Sequence, residues 1–220
     1  MVAVVQGFGP FGQLTVNPSE QLVRSLAARS GPDVITEILP VSARQVAAAV
    51  PALIRRHRPE VWLGVGVAAG RTALSVEAVA LNLMHWPDDK PDVDGVSVAR
   101  RPVIGHGPAA YLTTLPVDAI LRAWQDAGIP GYVSQDAGSY LCNMAYYTAA
   151  QAAEELGVAC MVGFLHVPLL PELVDAPERQ PSMALPLQAA GLDCVIGACR
   201  AAGDEQAAGA QAGLYLRRTA

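Results

Sequence analysis

Residues 159–166 read ACMVGFLH, an apolar run that ends at a histidine. Because polar residues do not alternate along it, the run predicts a strand that is covered on both faces. Further strands are predicted at residues 2–8, 34–39, 61–67, 78–83 and 132–134. Apolar residues at helical spacing predict helices near residues 18–27, 46–54, 117–124, 142–156 and 182–202. This alternation predicts an α/β fold, a single-domain α/β/α sandwich with a mostly parallel, twisted central sheet.

The rest of the chain sets limits on organisation and on function class. Of 220 residues, 1–203 are predicted to form a single α/β domain and 204–220 an Ala/Gly-rich C-terminal tail, with irregular loops at 84–108 and 167–181. The net charge is -5 with no basic block, so nucleic acid is not an expected partner. The apolar start is too short for a signal peptide, and no run is long enough to span a membrane. Four cysteines without CxxC spacing indicate reduced thiols and a cytoplasmic protein.

In mostly parallel sheets, sites form at the carboxyl ends of the strands. That rule singles out four places in this chain: the loop from Gly7 to Gly12, the segment from Gly66 to Glu77, the segment from Gln135 to Cys142, and His166.

The first of these places has three interpretations. Gly7, Gly9 and Gly12 satisfy GxGxxG after a strand, and Glu37 follows downstream, which is the pattern of a dinucleotide site. That site needs a helix to begin directly after the glycines, yet the best helix start is Asn17-Pro18. The second interpretation of the loop is a structural turn. The third is a hydrophobic clamp, in which the rings of Phe8 and Phe11 hold a small flat ligand between them.

Cys142 is a candidate nucleophile because it stands where a loop leads into a predicted helix. The helix dipole is expected to lower the pKa of such a thiol, and free backbone N–H groups there can stabilise an oxyanion. The alternative is a buried core cysteine. For the other cysteines the structural role is favoured: Cys160, Cys194 and Cys199.

His166 is a candidate base, since an imidazole at the end of a strand before Val-Pro is well placed for proton transfer. Glu77 could orient that imidazole and stabilise its cationic form. A boundary histidine and a solvated glutamate are the corresponding structural alternatives. The remaining histidines are expected to have no catalytic role, and the aspartates of residues 88–94 lack the spacing of a calcium loop.

Together these segments resemble the pyroglutamyl peptidase I family, also called pyrrolidone-carboxylate peptidases. The similarity lies in GFGPFGQLTVNPS at residue 7, GVAAGRTALSVEAVALN at 66, DAGSYLCN at 136 and GFLHVPLLPE at 163. TLPVDAI and a later Gly-Ile-Pro also fit. The four motifs occur in order and cover most of residues 1–185.

The resemblance implies an α/β/α sandwich and a catalytic triad of Glu77, Cys142 and His166. It also implies a substrate pocket whose lining residues are Phe8, Phe11, Asn17, Val67, Tyr140 and Leu141. The implied reaction is hydrolysis of the amide after an N-terminal pyroglutamyl residue, through a thioester on the cysteine. The expected partners are small peptides with N-terminal pyroglutamate and further copies of the chain, as a dimer or tetramer. No cofactor and no metal are implied.

The sequence departs from the family pattern at three places. The family usually has glutamine at the position of Val67 and a second glycine at that of Ala69, and its Glu-Arg pair is Glu77-Ala78 here. An arginine that the family carries further on is missing from residues 84–89, which read MHWPDD. These departures keep open a second hypothesis, a binding protein with lost or altered activity. A dinucleotide-binding oxidoreductase is the third.

Overall fold

A computed structural model describes residues 1–12, 14–175 and 180–218. The strands are β1 Ala3–Phe8, β2 Val34–Leu39, β3 Val61–Val67, β4 Leu74–Glu77, β5 Val79–Leu81, β6 Met84–Trp86, β7 Val98–Arg101, β8 Ala110–Leu112, β9 Gly131–Ser134 and β10 Met161–Val167. The helices are α1 Pro18–Arg29, α2 Ala43–His57, α3 Val117–Asp126, α4 Leu141–Glu155 and α5 Leu185–Arg218, with a 3₁₀ turn at Pro171–Leu173.

Six strands form the central sheet in the order β2-β1-β3-β10-β4-β9. The first four run parallel to one another. β4 is antiparallel to β10, and β9 is parallel to β4, so the last two strands run in the opposite direction. The prediction of a mostly parallel sheet is therefore confirmed, with one reversal that brings β4 beside β10.

Helices cover both faces of this sheet, so the fold class predicted from the apolar runs is confirmed. Apolar side chains of α1, α3 and α5 pack with one face of the sheet in a cluster that includes Leu22, Trp124 and Leu192. Side chains of α2 and α4 pack on the other face in a cluster that includes Ile54 and Tyr146. The strands between them are almost fully buried, which explains their uninterrupted apolar sequences.

Two predicted elements are wrong in their bounds. The strand expected at residues 78–83 is shortened to β5, which pairs with β8 in a separate two-stranded sheet, and β4, which ends at Glu77 in the central sheet, was not predicted. The expected irregular excursion at 84–108 contains a second small sheet, in which β6 pairs with β7. Both errors have the same cause, since strands of three or four residues are too short for a period to show.

The last helix also differs from the prediction. It begins at Leu185 and continues to Arg218, instead of ending near residue 202. Alanine is the strongest helix former, so an alanine-rich stretch continues a helix that packing has already started. The domain boundary at residue 203 remains a prediction. Across the described residues, no helix combines the length and the hydropathy that a membrane span requires.

The sheet positions the site through its parallel strands. Three parallel strands, β1, β3 and β10, end at one edge of the sheet. Helix α4 begins at the same edge, as shown by Cys142 at the start of α4, which packs against Gly66 near the end of β3. The loop after β1 reaches the same edge through a hydrogen bond from Gly9 N to Leu39 O, at the end of β2.

Two of the glycines of α5, Gly191 and Gly197, test how closely this helix approaches the sheet. A Cβ on Gly191 would lie 2.1 Å from Cδ1 of the fully buried Leu74, whereas one on Gly197 would meet nothing within 4 Å. We expect Gly191→Ala to lower the free energy of unfolding by about 1–3 kcal/mol. Gly197→Ala should be neutral or raise it by about 1 kcal/mol through helix propensity. Urea unfolding of the two variants measures the difference, and equal effects would contradict this packing.

Candidate active site

A cavity of about 300 Å³ opens at the carboxyl edge of the parallel strands. Eight of the nine residues predicted for the site line it: Phe8, Phe11, Asn17, Val67, Tyr140, Leu141, Cys142 and His166. The ninth, Glu77, lies behind His166 and contacts it. The cavity is also lined by residues with no predicted role, namely Val41, Ala68, Arg71, Lys90, Asp136, Ala137 and Gly138.

Cys142 is the second residue of α4, as predicted, and Tyr140 is the residue that precedes the helix. The buried Asn143 fixes this helix start, because its side chain accepts from Leu81 N and donates to Leu81 O and Leu83 O, all at 2.9 Å. The sulfur faces Gly66, where a Cβ would approach Sγ to 2.6 Å. A glycine is therefore required behind the thiol.

The expected direction of the Cys142 pKa is wrong. Burial raises the pKa of this thiol to about 12, and the negative charge of Glu77 adds to the rise. Lys90, Arg71 and the backbone N–H at the helix start oppose the rise without reversing it. Loss of water around the sulfur outweighs the helix dipole, so the resting group is a thiol.

His166 and Glu77 form a buried pair. His166 Nδ1 and Glu77 Oε1 are 2.7 Å apart, and the residues are 4% and 0% exposed. The antiparallel register places Ser75 opposite His166, so Glu77 is its diagonal neighbour on the same face of the sheet. Since the carboxylate accepts at Nδ1, the imidazole keeps its proton there and leaves Nε2 free to accept another.

Arg71 is the third member of this cluster, and no separate role was predicted for it from the sequence. Its Nη1 is 2.6 Å from Glu77 Oε1 and also contacts Ser75 Oγ, while Nη2 donates to Ser134 Oγ and to Asp136 O. The guanidinium thus supplies the countercharge that a buried carboxylate requires. The only sequence signal for this role of Arg71 was the presence of a single arginine in a glycine-rich loop at the end of a strand.

The electrostatics of the pair follow from burial and from Arg71. Burial pushes the pKa of Glu77 upward, but hydrogen bonds from His166, Ser134 and Arg71 outweigh it and hold the pKa below its usual value. Burial also lowers the pKa of His166 below 6.5, and Arg71 acts in the same direction, against the opposing effect of Glu77. At neutral pH the cluster therefore contains a carboxylate, a guanidinium and a neutral imidazole.

The glycine loop forms a wall of the cavity. Asn17 caps α1, with Oδ1 accepting from Ser19 N at 3.0 Å, and its Nδ2 donates to Gly9 O at 2.8 Å. The amide thereby holds the loop that carries Phe8 and Phe11. Because α1 begins only at Pro18, its N-terminus does not follow the glycines as a dinucleotide site requires.

Aromatic side chains form a second wall. The Tyr140 ring lies 6.2 Å from that of Phe11 and 5.1 Å from that of Trp86, centroid to centroid. Trp86 is buried and donates from Nε1 to Val96 O, so it supports Tyr140 from behind. The neighbouring His85 is exposed. Trp86 therefore contributes to this wall of the cavity through Tyr140.

The arrangement suits covalent acyl transfer better than metal chemistry. A nucleophile at a helix N-terminus, a neutral imidazole and an orienting carboxylate meet at one cavity. Among the residues that the structure describes, no three histidine, cysteine, aspartate or glutamate side chains converge to hold a metal ion. All four cysteines are free.

Comparison with known proteins agrees with this geometry. The sequence model of the family described as pyroglutamyl peptidase matches residues 1–202. A pyrrolidone-carboxylate peptidase of Thermococcus kodakarensis is 40% identical over 198 residues, which cover 89% of this chain and 94% of that protein. One from Vibrio vulnificus is 38% identical over 198 residues, covering 89% and 91%.

The fold matches as well. The crystal structure of a variant pyrrolidone carboxyl peptidase from Pyrococcus furiosus aligns with a TM-score of 0.84 at 31% identity, covering 90% of this chain and 98% of that one. On sequence and on fold, the chain belongs to the pyroglutamyl peptidase family of cysteine peptidases.

Proposed function

We propose that this chain hydrolyses the amide bond that follows an N-terminal pyroglutamyl residue, with Cys142 as nucleophile, His166 as base and acid, and Glu77 as the residue that orients His166. One observation carries the proposal. The thiol at the start of α4 and the imidazole held by Glu77 line the same aromatic-walled cavity.

The cavity has the properties that a pyroglutamyl ring requires. The ring is small, flat and uncharged, and Phe8, Phe11 and Tyr140 provide apolar walls for it. The Asn17 amide lies at the same cavity and adds a polar group. A lactam lacks the charged amine of an ordinary N-terminus, so an apolar slot selects for it. Val67 replaces the polar side chain usual in the family, which leaves this wall more apolar.

Acylation begins from the thiol and the neutral imidazole. His166 Nε2 takes the proton of Cys142 as the sulfur attacks the pyroglutamyl carbonyl carbon. The first N–H groups of α4 have no acceptor within the helix, so they are available to the oxyanion. Glu77 stabilises the imidazolium, which then gives its proton to the departing amine. The products are a thioester on Cys142 and a peptide shortened at its N-terminus.

Deacylation reverses these roles. His166, again neutral, removes a proton from water as its oxygen attacks the thioester carbonyl carbon. The C–S bond breaks, the sulfur recovers the proton from His166, and free pyroglutamate leaves. No cofactor enters either half of the reaction.

The proposal also covers the substrates, the catalytic domain, the cellular location and the oligomeric state of the protein. Its substrates are small peptides with N-terminal pyroglutamate, and residues 1–203 form the catalytic domain. Four free thiols support a reducing, cytoplasmic location. We also propose a homo-oligomer, a dimer or tetramer, as the family resemblance implies, and Leu112 on β8, which is 76% exposed, is the surface residue at which we test it.

The first test is release of a fluorescent amine from a pyroglutamyl amide. Wild type should be active, and Cys142→Ala should lose activity to background because the acyl acceptor is gone. Cys160→Ala is the matched control, since Cys160 lies in a different cavity. Its activity should equal that of wild type. A folded wild type without activity would favour the binding-protein hypothesis instead.

Removal of the Glu77 charge tests the role of the Glu77–His166 pair. Glu77→Gln should lower kcat by roughly a hundredfold or more with little change in KM, because the imidazolium loses its stabilising carboxylate. Glu37→Gln on β2, the acidic residue of the dinucleotide hypothesis, should leave both constants unchanged. Steady-state kinetics on the same amide decide this. A Glu77→Gln enzyme with wild-type kcat would contradict the assignment.

The oligomer is tested by light scattering coupled to gel filtration. We expect a molar mass at least twice the 23.0 kDa of one chain. Leu112→Asp should lower that mass if β8 lies in the interface, because a charge would be buried there. A wild-type mass of one chain at micromolar concentration would refute the oligomer.

A further inference from the structure

Lys90 is the only lysine of the 220 residues, and it lies at the active-site cavity. It belongs to the turn between β6 and β7, which also lines a second, adjoining cavity of about 460 Å³. Phe11 lines both cavities as well, so Lys90 and Phe11 stand at the boundary between them. None of the predicted roles uses this cation.

The turn that carries Lys90 is held in place on several sides. Asp92 accepts from Ala43 N, Asp94 N and Val96 N, each at 2.9 Å. Tyr140 donates its hydroxyl to Pro91 O at 3.2 Å. The Lys90 ammonium lies 5.2 Å from the centre of the Tyr140 ring, a distance at which a cation is attracted to the ring face. The exposed Lys90 side chain thus places its ammonium beside the residue that precedes α4.

Lys90 differs from the other cation of the cavity in its partners. Arg71 is neutralised by Glu77, to which it is ion-paired at 2.6 Å. Within the described part of the chain, Lys90 forms no ion pair with a carboxylate. Asp89 and Asp92 line the adjoining cavity with Lys90, but neither is within ion-pair distance of it, so no contact among the described residues neutralises the positive charge of Lys90.

The chemistry of the site needs such a charge. Negative charge on Cys142 is opposed by burial and by Glu77, while Lys90 is the largest of the effects that favour it. The other ionisable groups at the cavity are His166, Arg71, Asp136 and Tyr140. His166 is neutral at rest, Arg71 is paired, and Tyr140 has a pKa raised to about 12.

We propose that Lys90 is the cation that stabilises negative charge on the Cys142 sulfur across the cavity, in place of the arginine missing from residues 84–89. Lys90 acts through the electric field and through Tyr140, so it is a positioning residue and not a bond-forming one. For turnover the proposal rests on the proposed function, but its effect on the thiol is independent of any peptide substrate.

Alkylation of Cys142 tests the proposal without peptide turnover. Rates with neutral iodoacetamide and with anionic iodoacetate are measured from pH 7 to 10, with the modified Cys142 peptide quantified by mass spectrometry. In Lys90→Gln the iodoacetamide rate at pH 8 should fall about threefold, and its pH profile should move to higher pH, because a nearby positive charge favours thiolate. The ratio of the iodoacetate rate to the iodoacetamide rate should also fall about threefold.

Two variants serve as controls. Lys90→Arg keeps the charge and should restore both the rate and the ratio. Arg24→Gln changes the net charge by the same unit at a residue 64% exposed on α1, and should leave both unchanged. Thermal unfolding of each variant verifies that it is folded. Unchanged rates and ratio in a folded Lys90→Gln variant would overturn the proposal, as would failure of Lys90→Arg to restore them.

Turnover gives the second readout. With an uncharged pyroglutamyl amide, Lys90→Gln should lower kcat/KM about threefold with most of the loss in kcat, and Lys90→Arg should recover it. If wild type cleaves no pyroglutamyl amide, the proposed function fails, whereas the alkylation result still decides the role of Lys90. A loss confined to KM would contradict the role proposed for Lys90, since it would assign Lys90 to substrate binding.

Discussion

The contact between Glu77 and His166 is the interaction on which the site depends. A carboxylate with no exposed surface is tolerated because Arg71 and His166 both contact its Oε1 atom. The sheet topology makes this contact possible, since β4 runs antiparallel to β10 and brings Glu77 diagonally opposite His166. Had β4 run parallel to β10, this register would not exist. The one reversal in the sheet is thus a feature of the active site.

The same burial determines how the nucleophile is used. It raises the pKa of Cys142 and lowers that of His166, so the resting pair is a thiol and an imidazole and not an ion pair. A cysteine that is protonated at rest is protected from non-specific alkylation and oxidation, since the thiolate is the reactive form. In the proposed mechanism, charge separation occurs during attack on substrate, where Glu77, the start of α4 and Lys90 can stabilise it. Rate acceleration is therefore coupled to occupation of the aromatic cavity.

The sequence predicted the layered fold and most of the site because both depend on local patterns. Buried strands carry uninterrupted apolar runs, and strand ends and a helix start mark His166 and Cys142. Three features required the tertiary structure. The end of β4 at Glu77 could not be predicted, because it depends on where the chain leaves the central sheet. The partners of Arg71 are distant in sequence. The pKa of Cys142 depends on burial, which no local pattern shows. Lys90 was visible only as the sole lysine, with no pattern to show what it faces.

The protonation state of His166 at rest tests the account most directly. The chain has four histidines, so nitrogen-15 NMR of the histidine-labelled protein, with His166→Gln for assignment, can follow this ring from pH 5 to 9. The account predicts a neutral ring at pH 7 with its proton on Nδ1, hydrogen-bonded to Glu77, and a titration below 6.5. A ring protonated on both nitrogens at pH 7, losing its proton only at higher pH, would show a preformed thiolate–imidazolium pair and contradict it.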